Sequence, residues 1–529
     1  MEPPILKRIS LIIVISFPLL LKGQTTDPKN NWQNLDLKTD SVFGISAEKA
    51  HSELLKGKKH VTVLVAVIDG GADINHEDLK SIIWTNPKEI AANQIDDDKN
   101  GYVDDVHGWN FIGGAKGDVE YENYEFVRLI RSQKPKYEYA DTTKLNAGEL
   151  LKYHDYLKMK MKLDRSLKRV EANIKDYSKS EMIIDTLLED MDIKNPTPSD
   201  FKKYKPKNEM QKAIVTYIID NDTINDFSAF RQQHKDAYLK DQQIQLDYVL
   251  NINYDPRSIV GDNPNDDDDR FYGNNDVIGP DPHHDHATHV SGIIGAVREN
   301  NIGIKGVAND VMIMPLRVVP DAGDERDKDV ANAIRYAVDN GAKIINMSIY
   351  KDYSSDKKVV DNAVKYAVSK DVLIVHCAGN DNADRDKKIN YPNKIYADSS
   401  GMASTWIEVG ASGLRDDETL KAEFSSFGKL NVDVFAPGVD IYSTIKGSKY
   451  GHESGTSMAS PVVAGLAAII RSYYPKLTAI QVKEIILNSV AKVNHTVTVP
   501  GKGNIQFSEL CRSGGIVNAF NALKLAATY

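Results

Sequence analysis

Apolar residues along this chain fall into distinct patterns, and each predicts a different piece of structure. The run Val61-Thr62-Val63-Leu64-Val65-Ala66-Val67-Ile68 is rich in β-branched residues and nearly unbroken. Such a run predicts a strand buried on both faces, as in a parallel sheet covered by helices. From residue 289 onward, strand-like and helix-like stretches alternate. Strands are predicted at 311–319, 343–349, 373–377, 406–410 and 432–435. Helices are predicted at 329–340, closed by Gly341, at 357–370 and at 462–470. This alternation predicts an α/β domain with a mostly parallel sheet and right-handed crossovers.

Residues 118–255 differ in kind. Neither Gly nor Pro occurs from Glu149 to Asn195 or from Lys207 to Asp255. Leu163, Leu167, Val170, Ile174 and Tyr177 repeat at helical spacing between lysines and acids, and Pro196, Pro198 and Pro206 mark a reversal. The pattern predicts a helical hairpin inserted in the α/β domain, packing on itself as a solvated appendage. The Gly/Asp/Asn-rich stretch 84–112 has no period and reads as loop. Before the first strand, 24–59 is polar apart from Trp32 and an amphipathic stretch at 47–55. It is too short to form an independent core, so it is expected to stay attached and pack on the α/β domain.

The first residues carry an address. Lys7 and Arg8 precede an apolar run over 9–21, interrupted only by Ser10, Ser16 and Pro18. That length suits a signal peptide and falls short of the roughly 20 residues that span a bilayer. Leu21-Lys22-Gly23 is a weak cleavage signal, and no cysteine follows to carry a lipid. The expected organisation is a signal peptide at 1–23, an N-terminal segment at 24–59, an α/β domain from 60–117 and 256–529, and a helical insertion at 118–255. The protein is expected to be exported, extracellular or periplasmic, without a membrane span.

Composition narrows the function classes. The chain has 529 residues, of which 41% are apolar and 27% charged, enough for a sizeable core. A net charge of −9 gives no global attraction for nucleic acid or anionic membrane, so neither is an expected partner. Cys377 and Cys511 allow at most one bridge and no thiolate zinc site.

In an open α/β sheet, reactive groups collect at the carboxyl ends of strands. Asp69 follows the first apolar strand. His286 opens His286-Ala287-Thr288-His289-Val290-Ser291-Gly292, a small-residue helix. Ser457 lies in Ser454-Gly455-Thr456-Ser457-Met458-Ala459-Ser460-Pro461, before an apolar helix. Singly, these residues suit a turn, a satisfied polar contact and a helix cap. Together they suit acyl transfer, because a serine hydroxyl needs a neutral imidazole to take its proton. The imidazole in turn needs a buried carboxylate to fix its tautomer. A helix N-terminus beneath the serine adds N–H groups where the oxyanion develops. Asn380, at the end of Leu373-Ile374-Val375-His376-Cys377-Ala378-Gly379-Asn380, could donate its amide there, although a turn-forming role also suits it.

These motifs resemble the subtilisin-like serine peptidases, or subtilases, over about 61–112 and 256–525. Gly-Thr-Ser-Met-Ala-Ser-Pro around Ser457 is the most specific of them. The resemblance implies a mostly parallel sheet flanked by helices and a secreted endopeptidase acting on polypeptides. It implies Asp69, His286 and Ser457 as triad and Asn380 as oxyanion donor, with no cofactor for the chemistry. Ser348-Ile349-Tyr350 would be the edge that pairs with substrate, facing Cys377-Ala378-Gly379 across the cleft. Gly70 stands where the family has a hydroxyl residue, Ala287 where it has glycine, and Tyr350-Lys351 where it has a glycine pair, which predicts a narrower groove. A catalytically impaired binding protein is the alternative, against which the presence of all four groups argues. A lipase or esterase would show Gly-x-Ser-x-Gly, which Met458-Ala459 break.

One further cluster points to structural calcium. In Asp96-Asp97-Asp98-Lys99-Asn100-Gly101-Tyr102-Val103-Asp104-Asp105, the residues Asp96, Asp98 and Asn100 stand at loop positions one, three and five. Gly101 takes the sharp turn, Tyr102 offers its carbonyl, and Asp104 is at position nine, as in the first half of an EF-hand loop. His107 replaces the glutamate expected at position twelve. A solvated acidic turn suits the same residues.

Overall fold

The structure, a computed structural model, describes residues 30–220, 226–281 and 285–529. The expected signal peptide at 1–23 lies outside the described residues. The described chain divides into two compact units, one spanning Val127–Tyr254 and the other formed by residues 30–126 together with Asp255–Tyr529.

The larger unit is built on a nine-stranded sheet. In chain order its strands are β1 (Val63–Asp69), β2 (Trp109–Asn110), β3 (Val311–Arg317), β4 (Ile344–Met347), β5 (Leu373–Cys377), β6 (Trp406–Ser412), β7 (Val434–Pro437), β8 (Ala491–Lys492) and β9 (Gly515–Ile516). Across the sheet they run β8-β9-β7-β6-β5-β4-β1-β3-β2. Only the β8–β9 pair is antiparallel. The unbroken apolar run at β1 has its explanation here. Val63, Val65 and Val67 face one core, together with helices His286–Gly295, Thr456–Tyr473 and Ala479–Asn488. Ala66 and Ile68 face a second core under helices Asp327–Asp339 and Lys357–Ser369. A strand buried on both faces cannot alternate polar with apolar residues.

The N-terminal segment belongs to this unit's core. Trp32, Ile45, Ala47, Ala50 and Leu55 join the first core, and Phe43 joins a third with Phe435 and Phe507. Trp32 Nε1 donates to the Asp440 carbonyl at 3.2 Å, and Asn34 Nδ2 to that of Lys305 at 2.8 Å. Each fully buried large side chain contributes about 1.5–3 kcal/mol, so these residues tie the segment down.

The Val127–Tyr254 unit is helical. Helix Ala147–Met191, 45 residues long, starts at a capping box made by Asn146 and Glu149. Leu163 and Val170 are buried along it, while Leu167, Ile174 and Tyr177 are half-buried. The expected hairpin is more complex than one returning helix. Helices Pro198–Lys203, Glu209–Asp220 and Phe227–Ile244 share the return, and Phe201, Ile214, Ile218 and Phe227 pack with Leu187.

Candidate active site

Asp69 is the last residue of β1, at the carboxyl end of the sheet, and is 2% exposed. Its carboxylate accepts the Gly70 N–H at 2.7 Å. The glycine therefore supplies a backbone donor where the family pattern has a side-chain one. Arg317, opposite Asp69 in register, donates from Nε to the Gly70 carbonyl at 3.2 Å and fixes the turn out of the strand.

His286 is the first residue of helix His286–Gly295. This helix is made of small residues because a hairpin, Ile441–Ile445 and Lys449–Glu453, lies on it. A Cβ on Gly292 would stand 2.3 Å from Thr444 Oγ1 and 2.4 Å from Ser443 Oγ. Those hydroxyls donate to the carbonyls of Thr288 and His289, at 2.7 and 2.8 Å. The helix is thereby locked with His286 at its tip, and the imidazole Nδ1 lies 2.8 and 3.0 Å from the two oxygens of Asp69. A carboxylate only accepts, so Nδ1 carries the proton and Nε2 is left to accept one. The ring keeps 29% exposure at the cleft.

Burial pulls the His286 pKa down, but the charge and hydrogen bond of Asp69, helped by the Glu453 charge, outweigh it and raise the value to about 9. As a general base His286 would work only when neutral, so activity is expected to fall as pH drops through this value. We expect an acid limb of kcat/KM centred near 9, above the ordinary imidazole range of about 6.5. Glu453→Gln shifts the limb downward. A profile that is flat from pH 5 to the alkaline side contradicts this assignment of the base.

Ser457 is the second residue of helix Thr456–Tyr473 and is 7% exposed. Pro461, four residues on, has no N–H to offer the Ser457 carbonyl. Ser348 Oγ replaces that donor at 2.8 Å and contacts Ser460 Oγ at 2.8 Å. In return Ser457 Oγ donates to the Ser348 carbonyl at 3.1 Å.

Asn380 follows β5 and is exposed. Its Oδ1 accepts from Thr456 N–H at 2.9 Å and Thr456 Oγ1 at 2.8 Å. Because the backbone N–H can only donate, the amide is fixed with Nδ2 pointing outward. A Cβ built on Gly455 would lie 3.4 Å from Asn380 Nδ2 and 3.5 Å from Ser457 N. The two nitrogens therefore border one small space beside the glycine at the helix start.

The residues expected at the substrate edge divide by role. Ser348 is buried and supports the start of the Ser457 helix. Ile349, Cys377 and Ala378 are buried, and Cys377 Sγ contacts the Ile349 carbonyl at 3.6 Å. Both cysteines are free thiols. Burial pushes the Cys377 thiol up, which keeps it protonated. Tyr350 and Gly379 face each other, and the Tyr350 hydroxyl accepts the Asn380 N–H at 3.1 Å. Sequence reasoning missed Thr456, which orients Asn380, and Glu453, which acts on His286 from a hairpin without clear periodicity.

In the acidic loop, Asp96 accepts the N–H groups of Asn100 and Gly101 at 3.1 and 2.8 Å. Asp98 accepts from Asn100 N–H at 3.1 Å. Asn100 Oδ1 accepts the Tyr102 N–H at 2.8 Å, and the Tyr102 hydroxyl donates to the Arg270 carbonyl at 3.1 Å. Asp104 departs from the expected set. Its backbone is left-handed, at φ 54°, and its carboxylate turns back to accept Asn93 and Gln94 N–H at 3.2 and 2.8 Å. Glu89 takes its place, with carboxylate oxygens of Glu89, Asp96 and Asp98 within 4.8 Å of one another.

The sequence also has recognisable relatives. It is 38% identical over 220 residues to the thermophilic serine proteinase of Bacillus sp. (strain AK1), covering 42% of this chain and 50% of that one. Identity to the thermostable alkaline protease of Halalkalibacterium halodurans is 33% over 249 residues, covering 46% of this chain and 62% of the relative. Thermitase of Thermoactinomyces vulgaris is 36% identical over 221 residues, covering 42% of this chain and 72% of its own. The chain thus spans about half the length of the first of these relatives and under two thirds of the second. The Subtilase family model matches residues 61–506, which include all four groups assembled at the carboxyl end of the sheet. On that match the chain belongs to the subtilase family.

Proposed function

We propose that this protein is an exported serine endopeptidase that hydrolyses polypeptides through an acyl-enzyme. The observation that carries the reading is the convergence of three things. They are the Asp69–His286 pair at 2.8 Å, Ser457 at a helix start, and the Asn380 and Ser457 N–H donors around Gly455. Ser457 Oγ gives its proton to His286 Nε2 and attacks the peptide carbonyl carbon. The carbonyl oxygen becomes an anion facing Asn380 Nδ2 and Ser457 N. His286 passes its proton to the departing amine nitrogen, and the acyl group stays on Oγ. Water then gives a proton to His286 and attacks the ester, after which the proton returns to Oγ. Asp69 holds the imidazolium formed in each half. Export rests on the Lys7-Arg8 and 9–21 pattern. Among the described residues no helix is long and apolar enough to cross a membrane.

The test is to incubate the purified protein with a proteome-derived peptide mixture and map new amino termini by mass spectrometry. Cleavage at internal amide bonds is expected. Hydrolysis confined to activated esters, or none, contradicts the endopeptidase reading.

We also propose that the acidic loop holds a structural calcium ion. Glu89 Oε1 accepts the Asp98 N–H at 3.0 Å, while Glu89 Oε2 is buried without a hydrogen-bond partner. Three carboxylates facing one another offer the hard oxygen ligands that calcium prefers. Glu89, Asp96 and Asp98 would hold it, and the ion would cancel their mutual repulsion. Binding to the folded state alone adds about 2.7 kcal/mol at a calcium concentration a hundredfold above Kd. Thermal unfolding should therefore shift upward with calcium and downward with chelator in the wild type, and not in Asp98→Ala. A wild type indifferent to both removes the site.

A further inference from the structure

The residue whose carbonyl is attacked, P1, must place that carbon at Ser457 Oγ and its oxygen toward Asn380 Nδ2 and Ser457 N. Its side chain leaves from the neighbouring carbon, so it comes to lie beside these donors. Two segments flank that space. One is Ser348-Ile349-Tyr350, tied to the nucleophile through the reciprocal Ser348–Ser457 bonds. The other is Cys377-Ala378-Gly379, which leads into Asn380.

The gap between them holds the Tyr350 side chain. Its hydroxyl crosses to the opposite segment and accepts the Asn380 N–H at 3.1 Å. Its ring carbon Cε2 lies 3.1 Å from the position a Cβ on Gly379 would take. The Arg385 guanidinium carbon lies 5.8 Å from the ring centroid. Arg385 is itself 2% exposed and anchored by Nε to the Ala378 carbonyl at 2.6 Å. The ring is thus held by its hydroxyl and bounded by Gly379 and Arg385. Gly379, at φ +101°, has no side chain to push the ring away.

We propose that Tyr350 fills the P1 pocket from the pocket's own wall and restricts cleavage to bonds that follow small residues such as glycine, alanine and serine. The inference rests on the peptidase reading above. A phenylalanine or leucine at P1 would need the volume the tyrosine ring occupies. Admitting it requires the ring to leave, breaking its bond to the Asn380 backbone N–H. Discrimination by a pocket of this kind is on the order of ten- to two-hundredfold.

The experiment compares kcat/KM of the full-length protein on matched peptides differing only at P1, with alanine, serine, leucine or phenylalanine. Wild type should favour alanine over phenylalanine by at least about tenfold. Tyr350→Gly should move that ratio toward phenylalanine by a similar factor. Tyr350→Phe keeps the ring and should keep the preference, while losing the acceptor for Asn380 N–H and some kcat. Inhibition of the wild type by peptide aldehydes ending in alanine or phenylalanine reads the same pocket without any substitution, should Tyr350→Gly not fold. Equal cleavage after alanine and phenylalanine by the wild type overturns the proposal, as does a Tyr350→Gly profile like the wild type's. Labelling of the wild type by a fluorophosphonate separates the two levels. An unlabelled protein overturns the peptidase reading and the pocket with it, whereas a labelled protein with no P1 preference overturns the pocket alone.

Discussion

Ser457→Ala and His286→Ala should each lower turnover on a peptide substrate by about a million-fold, the scale known for the same triad in a subtilisin. The double variant should be hardly worse than either single one. In the proposed mechanism Ser457 supplies the electrons of the new bond and His286 takes the proton that frees them, so neither group would retain a function alone. The folded state should hardly change. Removing Ser457 Oγ deletes one hydrogen bond to the Ser348 carbonyl, at 3.1 Å, in a helix otherwise held by its apolar face. Losses that multiply in the double variant would mean that the two residues act independently, and the triad assignment would be wrong.

Asn380→Ala should lower kcat by about a hundred- to a thousandfold, with KM changed far less, again the family's scale for this donor. Its amide is aimed by Thr456 at 2.9 and 2.8 Å, so the donor is in place before charge develops. Donors fixed in this way act on the transition state more than on the neutral carbonyl, and the loss therefore falls on kcat. Thr456→Ala removes one of the two bonds that hold the amide and should show a smaller loss in the same parameter. A change confined to KM would instead make Asn380 a ground-state contact.

Much of this arrangement is legible in the sequence because two periodicities carry it. The stretch 63–68 has no polar positions since both faces of its strand are covered, and the later strands and helices alternate as a wound sheet requires. The candidate site residues are legible because each sits where an element ends or begins: Asp69 at the end of a strand, His286 and Ser457 at helix starts. Contacts made across the chain are less so. Ser348 reads as an edge residue, yet its hydroxyl replaces the N–H that Pro461 lacks, a role visible only once the two segments meet. The hairpin strand Lys449–Glu453 is polar and half-exposed, so nothing in its pattern predicts that Glu453 acts on His286. In the acidic loop, counting positions along one segment selects Asp104. Its left-handed backbone turns the carboxylate away, and Glu89 enters from upstream. The return of the helical insertion is likewise underread, because Pro196, Pro198 and Pro206 mark where the long helix has ended but not how many helices follow.

Covalent labelling of the purified protein with a fluorophosphonate, followed by peptide mapping, tests directly whether Ser457 is the nucleophile. A single stoichiometric adduct on Ser457 is expected. Its rate should rise with pH as His286 loses its proton, and labelling should be abolished in Ser457→Ala and strongly slowed in His286→Ala. Labelling at another serine, or labelling of Ser457 at a rate indifferent to His286, would contradict it.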